Sequence, residues 1–328
     1  AVRIFLAVVL ATVLGAGAFA YRWVNAPLEL ATSPVDLSIE SGSSARDVAN
    51  AAVEAGVPLN PMLLYWWFRL SGDARQIKAG SYELEQGLSP RTLLRKLVRG
   101  EEALRSVTLV EGWTFRQVQD ALRKADQLKP QTQGMSSDAI MQALEMPGVA
   151  AEGRFFPDTY TYAKGSSDLA VLRRAAHAMD KKLAAAWAQR GPQSPLQTAE
   201  QALILASIVE KETGKGSDRA MVSSVFNNRL RIGMRLQTDP TVIYGLGDSF
   251  DGNLRKKDLL TDTPWNTYTR VGLPPTPIAM PGKASLLAAV QPAPSKALYF
   301  VARGDGSSEF SATLDEHNRA VNKYQRGQ

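Results

Sequence analysis

Gln201 to Pro240 reads QALILASIVEKETGKGSDRAMVSSVFNNRLRIGMRLQTDP, and its opening is apolar at every position from Ala202 to Val209 except Ser207. A run of that kind predicts a helix buried on all sides, with the carboxylates of Glu210 and Glu212 arriving at its end, where water is scarce. Leu203, Ala206 and Ser207 lie seven, four and three residues before Glu210, so its own face is small and apolar with one hydroxyl. An acid that keeps its proton near neutral pH is what protonation of a leaving oxygen requires, and an apolar setting favours the protonated form. An ion pair with Lys211 or Arg229 explains the same placement without catalysis, and the motif alone leaves both readings open. Glu212, on the face of Leu205 and Ile208, is similarly placed.

Downstream, Gly214 and Gly216 break the helix, and Ser217 or Asp218 caps a second one with Val222, Val225, Phe226 and Leu230 on its apolar side. Asn227 and Arg229 project from that helix. In Gln237-Thr238-Asp239-Pro240 the Asp-Pro pair has the form of an N-cap followed by the first helical residue, which leaves Gln237 and Thr238 unexplained. Pro264 to Tyr268 and Gly272 to Pro277 are stiffened loops carrying amide, hydroxyl and aromatic groups, a set that suits a carbohydrate cleft. A helix over Ser285 to Val290, a strand pair at Leu298 to Ala302 and Glu309 to Ala312 turning at Gly304 to Gly306, and a closing helix with His317 complete the chain.

Upstream, Ile4 to Tyr21 is uncharged and followed by Arg22, and at about 1.5 Å per residue it nearly spans a hydrocarbon core of about 30 Å. Ala18-Phe19-Ala20 resembles a signal-peptide cleavage site, but the preferred reading is an uncleaved anchor over residues 1–24 with the long polar remainder exported. Residues 25–34, with two prolines, read as a tether. A pattern of short strand, Gly turn, Ser or Thr cap and helix then occurs three times, capped at Ser44, Ser89 and Thr114. The strands are expected at Val35 to Ile39, Gly80 to Leu84 and Val107 to Val110. Pro61 to Leu70 (PMLLYWWFRL) is a strongly apolar helix, and Trp66 and Trp67 within it are expected in a core. Glu152 to Tyr160 clusters aromatics around a turn with one acid, before a helix from about Ser167 to Gln189.

The 328 residues, 45% of them hydrophobic, suffice for two compact domains. A net charge of +6 spread along the chain argues against nucleic acid as a partner and suits an anionic membrane surface or an acidic polymer. There is no cysteine, which excludes disulfides, thiol catalysis and thiolate metal sites. With only His177 and His317, a histidine-rich metal centre is not expected, and neither lies in a nucleophile motif.

Leu205 to Thr213, Val225 to Leu230, Met234 to Gly245, Asn266 to Tyr268, Gly272 to Pro275 and Phe155 to Tyr160 together resemble the YceG-like family of endolytic murein transglycosylases, the MltG type. The resemblance implies an α+β chain: an N-terminal transmembrane helix, a LysM-like strand and helix module over 35–106, and a larger mixed catalytic domain over 107–328. It implies cleavage of the bond between muramic acid and glucosamine within nascent peptidoglycan strands, leaving 1,6-anhydro ends and terminating glycan elongation. It places the catalytic acid on Glu210, which would protonate the glycosidic oxygen and then take the proton of the substrate's C6 hydroxyl, so that no second carboxylate is needed. Gln237, Thr238, Asp239, Asn266 and Tyr268 are expected to position substrate, and Asn227 and Arg229 to do the same or to hold Glu210. No cofactor and no metal are expected. The implied setting is a single span of the bacterial inner membrane with the catalytic domain in the periplasm, beside the penicillin-binding proteins of wall synthesis. Two rivals stand next to this reading: a hydrolytic muramidase, and a membrane-anchored peptidoglycan-binding scaffold without activity.

Overall fold

Each of the three Ser or Thr caps read from the sequence closes a capping box, in which side chain and backbone bond reciprocally across one turn. Ser44 does so with Asp47, Ser89 with Thr92, and Thr114 with Gln117. In this computed structural model, which describes residues 2–327, the first two boxes belong to one unit and the third to another.

The first unit runs to Arg105 and takes back Thr161–Ser166. It begins with helix α1 (Val2–Asn25), long and apolar enough to cross a membrane, and continues as β1 (Val35–Ile39), α2 (Ala45–Glu54), α3 (Pro61–Leu70), β2 (Gly80–Leu84) and α4 (Pro90–Arg99). β1 and β2 pair antiparallel, Leu37 opposite Tyr82. Val35, Leu37 and Ile39 point inward while Asp36 and Ser38 face solvent, the two-residue alternation of a sheet covered on one side. Leu37, Val48, Ala52, Leu64, Phe68, Tyr82 and Leu93 make the core. Gly100 ends α4 with φ of 70°, a left-handed cap that suits glycine. The stretch read as a tether is packed along part of its length: Leu28 and Leu30 are buried, Leu28 N donates to Leu88 O (2.8 Å), and Leu30 N donates to Gln86 Oε1 (2.9 Å).

On α3 the expectation for the two tryptophans divides. Trp67 is half-buried, with Nε1 donating to Pro90 O (3.1 Å), whereas Trp66 is 50% exposed. Leu64 and Phe68, four apart, take the inward face, and the helical period then turns position 66 outward.

The chain leaves this unit through β3 (Leu104–Thr108), which pairs with β4 (Thr159–Ala163), and between them lie α5 (Phe115–Lys124) and α6 (Ser137–Ala143). The second unit continues with α7 (Asp168–Trp187), α8 (Ala199–Glu212), α9 (Arg219–Arg231), α10 (Asp239–Leu246), α11 (Lys256–Leu260), α12 (Lys283–Val290), the hairpin β5 (Tyr299–Ala302) and β6 (Ser308–Ser311), and α13 (Leu314–Gln325). Every residue of α8 from Ala202 to Val209 is buried, as its unbroken apolar run predicts. α7, α9, α10 and α12 surround it. Ala206 on α8 and Ala289 on α12, both fully buried, lie in one core with Leu203, Val222, Phe226 and Leu286, and such small side chains allow close helix approach. Ser207, the one polar residue of the run, is satisfied twice: its hydroxyl donates to Ile204 O (2.7 Å) and accepts from Ile278 N (3.0 Å). The architecture is mixed α+β, and its strands among the described residues form three separate pairs.

Candidate active site

α8 ends in two acids that its helical period turns to different sides. Glu210 Oε2 accepts the backbone N–H of Gly282 (2.9 Å), and Arg219 Nη2 stands 3.8 Å from Oε1. Its side chain is 8% exposed. A Cβ on Gly282 would meet the Glu111 carboxyl, which would have to swing aside. Neither partner weighed from sequence is used: Lys211 Nζ donates to Gly112 O (3.3 Å), and Arg229 lies elsewhere. Both contacts made by Glu210 are of the kind a carboxylate makes with donors.

Glu212 meets different chemistry. Its carboxyl accepts the hydroxyl of Thr238, and burial raises its pKa. Thr238 acts against that rise, Asp239 adds to it by charge, and Arg229 opposes it. Around it stand most of the residues singled out in the sequence. Thr238, rather than Asp239, is the N-cap of α10, which moves the expected cap back by one residue. The Thr238 hydroxyl makes no capping bond because it is turned to Glu212. Asp239 is thereby free of cap duty and exposed, and it accepts from the Tyr268 hydroxyl (2.6 Å). That bond and burial hold the Tyr268 phenol well above its ordinary pKa, burial being the larger cause. Gln237 is exposed with φ of 49°, a left-handed conformation uncommon outside glycine and found repeatedly at functional sites. Thr267 braces the segment, accepting Gln237 N at its carbonyl (3.2 Å) and Thr238 N at its hydroxyl (3.1 Å).

Arg229 is fixed behind these residues by donating Nε to Leu298 O (2.7 Å), with its guanidinium 5.4 Å from the Tyr299 ring centre. Burial lowers its pKa, and Tyr299, Tyr268 and Glu212 oppose that by charge. The Tyr299 ring stacks in turn on His317 at 5.1 Å. Two other expected residues are fully buried. Asn266 is fully buried, donating to Leu259 O (3.1 Å) and Thr261 O (2.6 Å) while accepting Tyr268 N (2.8 Å). It clasps the loop that presents Tyr268. Asn227, equally buried, joins α9 to α12 by donating to Ser223 O (2.9 Å) and Ala289 O (3.2 Å), and has no bond to Glu210.

The sequence reading missed Arg219, Thr267, Tyr299 and Gly282, and it gave Glu152 only a turn. Glu152 is buried at the base of a cleft of about 750 Å³ lined by Thr114, Phe115, Gln119, Tyr244 and Trp265. Its carboxyl accepts Phe115 N (2.9 Å), tying down the first residue of α5, and burial pushes its pKa up to about 7. Among the described residues no group of three or more acids and histidines is placed to hold a metal ion.

Residues 37–323 match the model of the YceG-like family. A protein of Bacillus subtilis named endolytic murein transglycosylase is 32% identical over 332 residues, spanning 94% of this chain and 90% of that protein. A Streptococcus pneumoniae protein of the same name is 26% identical, over 96% of this chain and 63% of its own length. A crystal structure of a yceG-like protein from Listeria monocytogenes is similar with a TM-score of 0.54 at 31% identity, over 88% of this chain and 98% of that one.

Proposed function

This chain belongs to the YceG-like family, and on that premise we propose that it is a peptidoglycan-cleaving transglycosylase that works within glycan strands without water as a reactant. The observation that supports the chemistry best is the half-buried Glu212 carboxyl bonded by the Thr238 hydroxyl, its pKa raised by desolvation, with exposed Asp239 and half-buried Tyr268 paired beside it. In this reading the acid moves from Glu210, where the resemblance placed it, to Glu212. Glu210 accepts the Gly282 N–H and faces Arg219, away from Thr238, Asp239 and Tyr268, whereas desolvation favours the proton on Glu212 beside them.

The protonated Glu212 donates to the oxygen between muramic acid and glucosamine as the bond to C1 breaks. The carboxylate left behind takes the proton of the C6 hydroxyl, whose oxygen closes on C1 to give the 1,6-anhydro ring. Atoms balance with one acid and no water. The Asp239 carboxylate offers negative charge to the cationic character that develops at C1, and Tyr268 holds it in position. Gln237, exposed and held in an uncommon backbone conformation, is assigned to substrate binding with Thr238. Asn266, Asn227 and Arg229 support the segments that present these groups.

α1 is assigned to a single span of the bacterial inner membrane with the remainder in the periplasm, so that cleavage ends elongation of strands still being made beside the penicillin-binding proteins. The β1–α2–α3–β2 order supports a LysM-like reading of the first unit as a glycan-binding module.

Mass spectrometry of fragments released from uncrosslinked glycan strands tests the proposal, with Glu212→Gln and Glu210→Gln beside the unaltered chain. Products about one water lighter than hydrolytic ones, lost in Glu212→Gln and kept in Glu210→Gln, are expected. The reverse pattern returns the role to Glu210. Reducing ends mean a muramidase, and no product from the unaltered chain means a scaffold.

A further inference from the structure

α3 has one face that the first unit does not use. Leu64 and Phe68 are fully buried, while Met62, Leu63 and Trp66 are 50–52% exposed and Leu70 is 80% exposed. Four large apolar side chains side by side are more than isolated surface hydrophobes, and a patch of that kind marks a contact surface.

Two observations say what covers it. The first is charge. Residues 61–72 and 86–100, which include α3 and α4, contain Arg69, Arg91, Arg95, Lys96 and Arg99 and no acid, although the chain holds 32 acids. Arg69, Arg91, Arg95 and Arg99 are exposed. Acids resume at Asp73, Glu85 and Glu101, the last paired with Arg99, which leaves Arg69, Arg91 and Arg95 as the other exposed cations of these two helices. An apolar face with such neighbours fits an anionic amphiphile. The second is continuity with α1. At about 1.5 Å per residue the apolar part of that helix crosses a core of about 30 Å by Tyr21. The Arg91 guanidinium lies 5.9 Å from the Tyr21 ring centre, and Pro90, the residue before it, accepts the Trp67 indole N–H. The first turn of α4 therefore touches the end of α1 and the body of α3 together. Trp66 adjoins Tyr65 edge to face at 5.3 Å, an aromatic pair on α3. Tyrosine, tryptophan and arginine gathered at the end of an apolar span are the side chains that favour the headgroup layer.

We propose that α3 lies in the headgroup layer of an anionic bilayer, with Met62, Leu63, Trp66 and Leu70 against the acyl chains and Arg69, Arg91 and Arg95 on lipid phosphates. The inference rests on α1 spanning the membrane. It gives the first unit a second attachment beside α1, which fixes its orientation at the surface.

Because the chain contains no cysteine, single-cysteine variants report one position each. Leu10→Cys in α1, Met62→Cys in α3 and Glu54→Cys on the exposed side of α2 are labelled with an environment-sensitive fluorophore. The full chain is reconstituted into vesicles rich in phosphatidylglycerol that carry lipid nitroxides. The Leu10 and Met62 labels are expected to be quenched by about twofold or more and the Glu54 label to be unaffected, with Met62 quenching reduced in pure phosphatidylcholine and by Arg91→Glu with Arg95→Glu. A Met62 label as solvated as that at Glu54, in vesicles where Leu10 is quenched, overturns the proposal and leaves the span intact. An unquenched Leu10 label removes the span and the proposal with it. A Met62 label that ignores lipid but shifts on addition of uncrosslinked glycan strands assigns the face to sugar and equally overturns it.

Discussion

Glu210 and Glu212 are two residues apart on one helix, follow the same apolar run, and end in different chemistry. Gly282 N–H donates to the first, and Arg219 stands 3.8 Å from it. Thr238 meets the second, with Asp239, Tyr268 and Arg229 grouped around it. The apolar run decides that both acids are scarce in water. It does not decide which of them works, because that depends on what the rest of the chain brings to each.

The comparison breaks most sharply on the two Gln variants. Glu212→Gln is expected to lower kcat by about 10³-fold, the range of a lost general acid and base. It is also expected to raise the melting temperature at neutral pH, since an isosteric amide carries no charge to desolvate. Glu210→Gln should do the opposite, lowering the melting temperature through weaker bonds to Gly282 and Arg219 while keeping kcat within about tenfold. Steady-state kinetics and thermal denaturation of the pair read both signs. Loss of activity in Glu210→Gln with gained stability would exchange the two roles.

Glu152 sharpens the contrast as a buried acid assigned no chemistry. Burial holds its folded pKa at about 7, above the ordinary carboxyl value of 4.5. Below about 4.5 both folded and unfolded forms hold the proton, and as pH rises the unfolded form loses it first. The stability contribution is therefore full at low pH and is lost as pH rises through 7. Its size is about 3 kcal/mol between pH 4 and pH 8. Glu152→Gln should remove that decline, so that denaturant midpoints at the two pH values draw together, while the pH dependence of kcat remains. A changed kcat profile would instead bring the Glu152 cleft into the reaction.

What was legible in the sequence was mostly what is local. Ser44, Ser89 and Thr114 could be read as caps because a capping box closes within one turn, and α8 could be read as buried because it is apolar on every side. The acid could not be chosen that way. The hydroxyl partner of Glu212 comes from 26 residues further on, and the Glu210 partner Gly282 from 72. Asp239-Pro240 has the local signature of a cap, yet Thr238 takes that position, which frees Asp239 for Tyr268. Asn227 and Asn266 look like sugar-binding amides by residue type, and the backbone carbonyls that occupy them are invisible in the chain order. Trp66 and Trp67 are equivalent by composition and are separated only by which side of α3 faces Leu64 and Phe68.

Thr238→Val removes the one hydroxyl that favours the charged form of Glu212. With it gone, the proton is held to higher pH, so the alkaline limb of the kcat profile should move upward. A loss of kcat of about tenfold is expected at the optimum, because the same bond orients the carboxyl. An unmoved limb would mean that the titrating acid of the reaction is another group.

The smallest effect belongs to the Glu210 side. Arg219 faces Glu210 across 3.8 Å at a site where the arginine side chain is 22% exposed, a pair whose attraction water partly screens. Arg219→Met keeps the aliphatic stem and deletes the charge. About 1 kcal/mol of stability should be lost, a fall of about 2–4 °C in melting temperature for a unit of this size, with kcat and its pH profile unchanged. The unmoved profile is the informative part: were Glu210 the proton donor, removing the side chain that faces it would change the profile. Arg219→Met and Thr238→Val thus each remove the side-chain group that faces one of two neighbouring acids. The one that displaces the limb identifies the acid that carries the proton.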